Sequence, residues 1–297
     1  IACGRNESEL KNFANKWGWN EISTDWKSIL ERKDIDVIDI ATPTYLHHDM
    51  AIMAAQHGKH IFCEKPFALN LSQAESMYEA AQSNNVIHYL NHNYRRCPAI
   101  VLAKKLITDG KLGEIYHLRS TYQQDWLSNP DSPAGWQLDE KLSGGGPHID
   151  LGSHCIDLAH FLIGEISSVS CLQAHFVKER KTQDNTTRKI TVDDASIMSV
   201  EFNNGAVGSF ECTRYASGRK NRNQFEVNGS MGSIVFDLEK MNELEYFSSN
   251  DEHIYHSMLV YPAMSVADRQ PKVLTVSYTH LRAHETSLHL VCRLLLE

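Results

Sequence analysis

The chain has 297 residues, of which 42% are hydrophobic and 22% charged, enough for one large domain or two ordinary ones. Its 29 Lys and Arg stand against 37 Asp and Glu, a formal charge of -8 with no basic run, so no nucleic acid partner is expected. No apolar stretch approaches the roughly 20 residues of a membrane helix, so no membrane partner is expected either.

The seven cysteines, Cys3, Cys63, Cys97, Cys155, Cys171, Cys212 and Cys292, are scattered without a CxxC pair and read as reduced core thiols of a cytoplasmic protein. Residues 1–4 are already strand-like, with neither an initiator Met nor a signal sequence, so the natural N-terminus is expected upstream and a targeting segment is not testable. The run 36–40 reads as a buried strand, after which Leu46, Met50, Met53 and Ala54 recur at helical spacing up to a stop at Gly58. Residues 60–63 form the next strand. Ser72 and Glu75 read as a capping box opening a helix with Ala74, Met77, Tyr78 and Ala81 on one face, and 86–90 is a further strand. This alternation predicts a parallel α/β sheet whose ligands sit at the carboxyl ends of its strands.

After about Gly113 the character changes. Residues 115–124 read as a strand, followed by an irregular Asp-, Ser-, Pro- and Trp-containing stretch, a hinge at Gly144, Gly145 and Gly146, and a helix from about 147 to 162. Strands at 195–202 and 206–215 flank the hairpin signal Asn204-Gly205, and 225–227, 233–236 and 243–246 continue the series. The expectation is a second, α+β domain on a largely antiparallel sheet. At the far end, 276–286 (VSYTHLRAHET) back-translates into a transposon-type sequencing adapter and 290–297 into its continuation, with 287–289 as a variable index. The protein proper is therefore expected to stop at about Thr275; an amphipathic helix with three histidines, inviting metal, is the competing reading. The domains are accordingly read as 1–95, 96–275 and a non-native tail, 276–297.

Chemistry concentrates at a few places. Glu64-Lys65-Pro66 follows the strand 60–63, where a Lys points into the ligand crevice or forms a surface salt bridge; Pro66 lowers the trans preference of its bond to roughly 0.5–1 kcal/mol. Asp150, His154 and Asp157 fall at i, i+4 and i+7 beside the apolar stripe Leu151, Cys155, Leu158 and Leu162. A carboxylate one turn before a histidine can orient and tune a general base, or simply satisfy a partly buried ring. His148, Asp150 and His154 as metal ligands would need 148 and 150, on opposite sides of a helix, to converge, so no metal is expected. Thr42-Pro43 with His47 forms another crevice-facing turn, with His48 solvated. Arg5, past the first strand, meets an adenosine 2′-phosphate or is a solvated turn residue.

Ala41-Thr42-Pro43, Glu64-Lys65-Pro66, Asn93-Tyr94-Arg95-Arg96 and the run from Gly144 through Asp150 and His154 to Asp157 together resemble the Gfo/Idh/MocA family of nicotinamide-dependent sugar and cyclitol dehydrogenases, over residues 1–247. Within it, 121–126 (TYQQDW), Ser132-Pro133, Trp136 and 218–221 (GRKN) look closest to the levoglucosan-oxidising branch. The resemblance implies an α/β fold: an N-terminally truncated Rossmann dinucleotide-binding domain, then an α+β domain with a large, mostly antiparallel open sheet, used for homo-oligomerisation as a dimer or tetramer. It implies NAD or NADP as cofactor and a sugar, anhydrosugar or cyclitol as substrate. Lys65 would hydrogen-bond the reacting hydroxyl, His154 would take its proton, and Asp150 would orient the substrate and the histidine. Arg5, Thr42, Pro43, His47, Glu64 and Lys65 would line the cofactor site, and Tyr94, Arg95, Gln124, Asp125, Trp126 and Trp136, with Asp150 and His154, the sugar pocket. The family's Gly-rich phosphate loop would lie upstream of Ile1, so the first βα unit and the C-terminal part of the second domain are expected to be missing, leaving the 297-residue piece inactive and poorly stable. Two other readings are a nonenzymatic sugar or cofactor sensor on the same fold and a metal-dependent nonredox sugar enzyme.

Overall fold

A computed structural model describes residues 1–250 and 256–259. The expected adapter-like tail, 276–297, and Cys292 lie outside the described residues. The chain opens with β1 (Ala2–Cys3), α1 (Glu7–Trp17), β2 (Ile22–Ser23) and α2 (Trp26–Leu30). The Asn6 side chain accepts from the amides of Ser8 and Glu9, and Gly18 ends α1 in the left-handed region. Only Leu10 and Ala14 of α1 are buried, too sparse a stripe to announce a helix by periodicity. β1 and β2 pair in parallel.

The expected alternation follows as β3 (Val37–Ile40), α3 (His47–Gln56), β4 (His60–Cys63), α4 (Leu71–Ser83) and β5 (His88–Leu90). Ile40, Cys63 and Leu90 stand in register at the carboxyl ends of three parallel strands. Alanines 51, 54 and 55 of α3 and 74 and 81 of α4 sit in one buried cluster with Ile40, Ile61 and Met77, small side chains that let the helices approach each other and the sheet closely. Gly58 adopts φ 69° just past α3, as its position predicted. The start of α4 differs from expectation: Asn70, in an extended conformation, caps the helix by accepting from the Gln73 amide, and Gln73 Oε1 reaches back to the Leu69 amide. The reciprocal cap thus lies two residues before the Ser72–Glu75 pair, because an Asx side chain at 70 already meets the first free amides.

The second unit runs α5 (Pro98–Thr108), β6 (Ile115–Gln123), α6 (Glu140–Ser143), α7 (Pro147–Asp150), α8 (Gly152–Leu162) and β7 (Ile166–Ala174). A small hairpin, β8 (Glu179–Lys181) and β9 (Thr187–Lys189), precedes β10 (Ala195–Phe202), β11 (Val207–Thr213), β12 (Arg222–Gly229), β13 (Gly232–Asp237), β14 (Glu243–Ser248) and β15 (His256–Leu259). Eight strands form one sheet in the order β15-β14-β13-β12-β6-β11-β10-β7. The sheet is antiparallel as expected except where β6 runs parallel to β11, which makes it mixed. Ser196, Met198, Val200 and Phe202 alternate inward on β10 and join Leu118, Phe210, Phe225 and residues of α5 and α8 in the main core. The opposite face leaves Leu172 70% and Ile197 53% exposed.

The helix expected over 147–162 is broken at Leu151 into the single turn α7 and the longer α8. Asp193 fixes the start of α7: its carboxylate accepts from the amides of Gly146 (2.8 Å) and His148 (3.3 Å). A Cβ on Gly146 would fall 2.1 Å from the Asp193 carbonyl oxygen, so only glycine permits this approach. The cysteine expectation needs amending, since Cys63, Cys97, Cys155 and Cys212 are buried free thiols but Cys3 and Cys171 are exposed. Among the described residues, no helix is long and apolar enough to cross a membrane.

Candidate active site

The turn after β4 carries a cis Lys65–Pro66 bond and aims Lys65 across to the second unit. Lys65 Nζ donates to Asp150 Oδ1 at 2.6 Å and to the Asp150 carbonyl at 3.3 Å. Of the two readings left open for Lys65, an exposed surface ion pair does not describe it, for its side chain is 20% exposed. Asp150 Oδ2 accepts from Arg214 Nη2 at 2.9 Å. Burial pushes the Asp150 carboxyl up, but the Lys65 and Arg214 charges and their hydrogen bonds outweigh it and hold the group well below the usual carboxylate range.

His154 lies on the first turn of α8, with its ring centroid 4.7 Å from Tyr94, 5.6 Å from Tyr122 and 5.6 Å from His92. Burial, then the Lys65 and His92 charges, depress its imidazole well below the ordinary value against a smaller opposing pull from Asp150. The ring is therefore neutral. The i, i+4, i+7 expectation needs correcting in its detail. Both Asp150 oxygens are taken by Lys65 and Arg214, so the carboxylate acts on His154 only through space. Asp157 turns inward to Arg95, receiving Nε at 2.8 Å and Nη2 at 2.6 Å.

That pairing also places Arg95, expected in the sugar pocket: its side chain is 4% exposed and braces α8. His47 is likewise tied into the fold. Its Nε2 faces the Thr42 carbonyl at 2.8 Å and its Nδ1 the Pro66 carbonyl at 3.0 Å, tying the turn after β3 to the turn after β4. Thr42 and Pro43 remain half-buried at the carboxyl end of β3. The Glu64 carboxylate accepts from Asn91 Nδ2 and from the Lys65 amide, which holds it at the same crevice. Arg5 sits in an exposed bend after β1. His148 faces Asp193 at 2.6 Å, while Asp150 faces the two cations, so the structure does not bring His148, Asp150 and His154 together.

Three of the remaining pocket candidates, Tyr94, Gln124 and Trp126, join one hydrogen-bonded rim. Tyr94 and Tyr122 hydroxyls meet at 2.6 Å, and Tyr122 donates to Asn221 Oδ1 at 2.8 Å. Gln124 Nε2 donates to the same oxygen at 2.8 Å, and Trp126 Nε1 to Gln124 Oε1 at 2.9 Å. Asp125 points away, to the Gly218 amide and Lys220 Nζ. Trp136 is half-buried on the short turn Trp136–Leu138. Burial, with help from Tyr94, pushes the Tyr122 phenol up, so it stays protonated.

Sequence reasoning missed Arg214, Tyr122, Asn221 and His92. For Tyr122 and Arg214 a signal existed: each continues the inward alternation of a strand, after Leu118 and Ser120 or after Phe210 and Cys212, where an apolar residue is the default.

Residues 1–92 match the family model "Oxidoreductase family, NAD-binding Rossmann fold", and 100–235 match "GFO/IDH/MocA C-terminal domain". A levoglucosan dehydrogenase of Pseudarthrobacter phenanthrenivorans is 41% identical over 252 residues, covering 80% of this chain; the chain spans 65% of that relative's length. A D-glucoside 3-dehydrogenase of Escherichia coli is 28% identical over 69% of this chain and 59% of its own. Among solved structures, an oxidoreductase domain protein from Kribbella flavida superposes with a TM-score of 0.85 at 38% identity, covering 99% of this chain and 80% of its own. A levoglucosan dehydrogenase in complex with NADH and levoglucosan does so with 0.85 at 37% identity, covering 97% and 80%.

Proposed function

This chain belongs to the Gfo/Idh/MocA family of oxidoreductases, and from that premise we propose that it oxidises a secondary ring hydroxyl of a sugar, anhydrosugar or cyclitol, the carbon's hydride passing to NAD or NADP and the hydroxyl's proton to the protein. The observation that carries the reading is the facing of Lys65 and Asp150 beside a neutral His154, at the carboxyl end of a parallel strand.

The crevice offers a donor set suited to a nicotinamide nucleoside. The half-buried turn at Thr42 and Pro43 gives a surface for close approach, the anchored Glu64 carboxylate can accept from ribose hydroxyls, and the Lys65 ammonium can donate. Arg5, exposed after β1, would suit a 2′-phosphate. When bound, the cofactor supplies the hydride acceptor. The chain's own part is proton handling and positioning. Lys65 Nζ donates to the reacting hydroxyl oxygen, favouring its deprotonation as negative charge develops there. His154 accepts the proton, for which a neutral ring is required. Asp150 keeps the ammonium aimed, Gln124 and Tyr94 offer polar partners for the remaining hydroxyls, and Trp126 and Trp136 offer faces for C–H surfaces. The open sheet face bearing Leu172 and Ile197 is the surface on which a second copy would pack, and four buried free cysteines accord with a cytoplasmic setting. We place the division between the two units at about residue 95.

The test follows reduced-nicotinamide absorbance in the longest open reading frame that contains this chain, with NAD and NADP against levoglucosan, glucose, myo-inositol and scyllo-inositol. Cofactor reduction by at least one of them is expected. Cofactor binding without reduction by any sugar would replace the enzyme by a sensor, and absence of cofactor binding would overturn the reading.

A further inference from the structure

Arg214 is the largest fully buried side chain of the described residues, with 1% of its surface exposed, at the position just past β11 that continues its inward alternation. Burying a guanidinium is costly unless its charge is met, and here it meets a carboxylate that already holds a cation. Two positive groups therefore share one negative one. Arg214 also touches both tryptophan-bearing segments. Its guanidinium carbon lies 5.1 Å from the Trp126 ring centroid, and Nη1 donates to the carbonyl of Gln137, the neighbour of Trp136, at 3.4 Å. The Leu127 amide donates to the Arg214 carbonyl at 3.3 Å, so backbone and side chain grip the same loop.

Resting on the proposed dehydrogenase reading, we propose that Arg214 is a positioning residue that locks the Asp150 carboxylate to the Trp126 and Trp136 platform, so that the reacting hydroxyl and the sugar face are registered together. When Lys65 turns part of its hydrogen bonding from Asp150 to a substrate oxygen, Arg214 is what keeps the carboxylate charged and in place. A planar guanidinium can hold an oxygen in its plane and a ring against its face; an ammonium does the first only. The charged and titratable groups that face Asp150 are Lys65 from the β4 turn, Arg214 from just past β11, His154 from α8 and Tyr122 from β6.

The test uses Arg214→Met and Arg214→Lys in the longest open reading frame. The Asp150 carboxyl is followed against pH by 13C NMR, which needs no substrate, and KM, kcat and nicotinamide affinity are measured with the sugar that reacts. In Arg214→Met the carboxyl should titrate at higher pH than in the parent and KM for the sugar should rise about tenfold with nicotinamide affinity unchanged. Arg214→Lys should restore the titration but not KM. An unmoved titration and KM in Arg214→Met, with only a lower melting temperature, would reduce Arg214 to core packing, and recovery of KM by Arg214→Lys would overturn the link to Trp126. Should Arg214→Met fail to fold, the titration and KM of Arg214→Lys decide alone. If the parent reduces nicotinamide with no sugar, the dehydrogenase reading fails while the NMR titration still judges the tie to Asp150.

Discussion

Lys65→Met should lower kcat by about 10³-fold, the order seen when a preorganised donor to a developing oxyanion is removed. The replacement keeps the aliphatic stem and the cis turn while deleting the ammonium that lies 2.6 Å from Asp150 Oδ1. Sugar and cofactor would still bind, so the loss belongs in kcat more than in KM. A second signature lies in pH. An ordinary imidazole near 6.5 would protonate as the medium is acidified and cease to be a base. His154 is depressed by burial and by Lys65, so its neutral form persists to lower pH and kcat should hold as pH falls through 6.5. Removing the Lys65 charge also removes one cause of that depression, so whatever rate remains in Lys65→Met should fail at higher pH than in the parent. Steady-state kinetics across pH for both proteins checks this; a Lys65→Met enzyme within threefold of the parent, by about 0.7 kcal/mol, would deny the ammonium its role.

Asp157→Ala should destabilise the fold by about 3–5 kcal/mol, because it leaves the Arg95 guanidinium buried without its carboxylate. Both side chains are almost fully enclosed, at 4% and 2% exposure, and the pair joins the turn after β5 to the middle of α8. Asp157 also stands 3.8 Å from His92 Nε2, so the loss reaches the ring that packs on His154. Replacing both Arg95 and Asp157 by apolar residues of similar size should recover much of the loss, since no lone charge then remains. Denaturant unfolding of the single and double variants measures it, and a single-variant change below about 1 kcal/mol would mean that water reaches the guanidinium in the folded state.

Much of the first unit was legible because each of its elements solves its packing locally. Apolar runs at 36–40 and 60–63 and the helical recurrence ending at Gly58 became β3, β4 and α3 with small boundary shifts. Where two local solutions competed, as between Asn70 and Ser72, sequence pattern named the wrong cap. The parallel pairing of β6 with β11 was hidden for a different reason: it joins strands with β7 and β10 between them, and no turn signal marks such a register. The site divided in the same way. Lys65, Asp150 and His154 were visible as motif residues, but their mutual geometry was not. The spacing of Asp150 and His154 suggested a carboxylate that orients or satisfies the ring, and what occupies both its oxygens, the arrival of Lys65 and Arg214 from distant turns, leaves no trace at i and i+4. For Arg95 and His47 the sequence offered a place beside the crevice but not their buried partners, Asp157 and the Thr42 and Pro66 carbonyls, which arrive from elsewhere in the chain.

The central claim is that the sugar carbon gives its hydrogen as a hydride to the nicotinamide while this cluster handles only the hydroxyl proton. It is tested most directly by supplying a carbon-deuterated sugar that supports turnover in the longest open reading frame containing the chain, and reading the nicotinamide product by NMR. The account predicts one deuterium at C4 of the reduced nicotinamide for each sugar oxidised. Deuterium released to water, with none at C4, would show that the cluster abstracts a proton from carbon and would contradict the assignment of Lys65 and His154 to the hydroxyl.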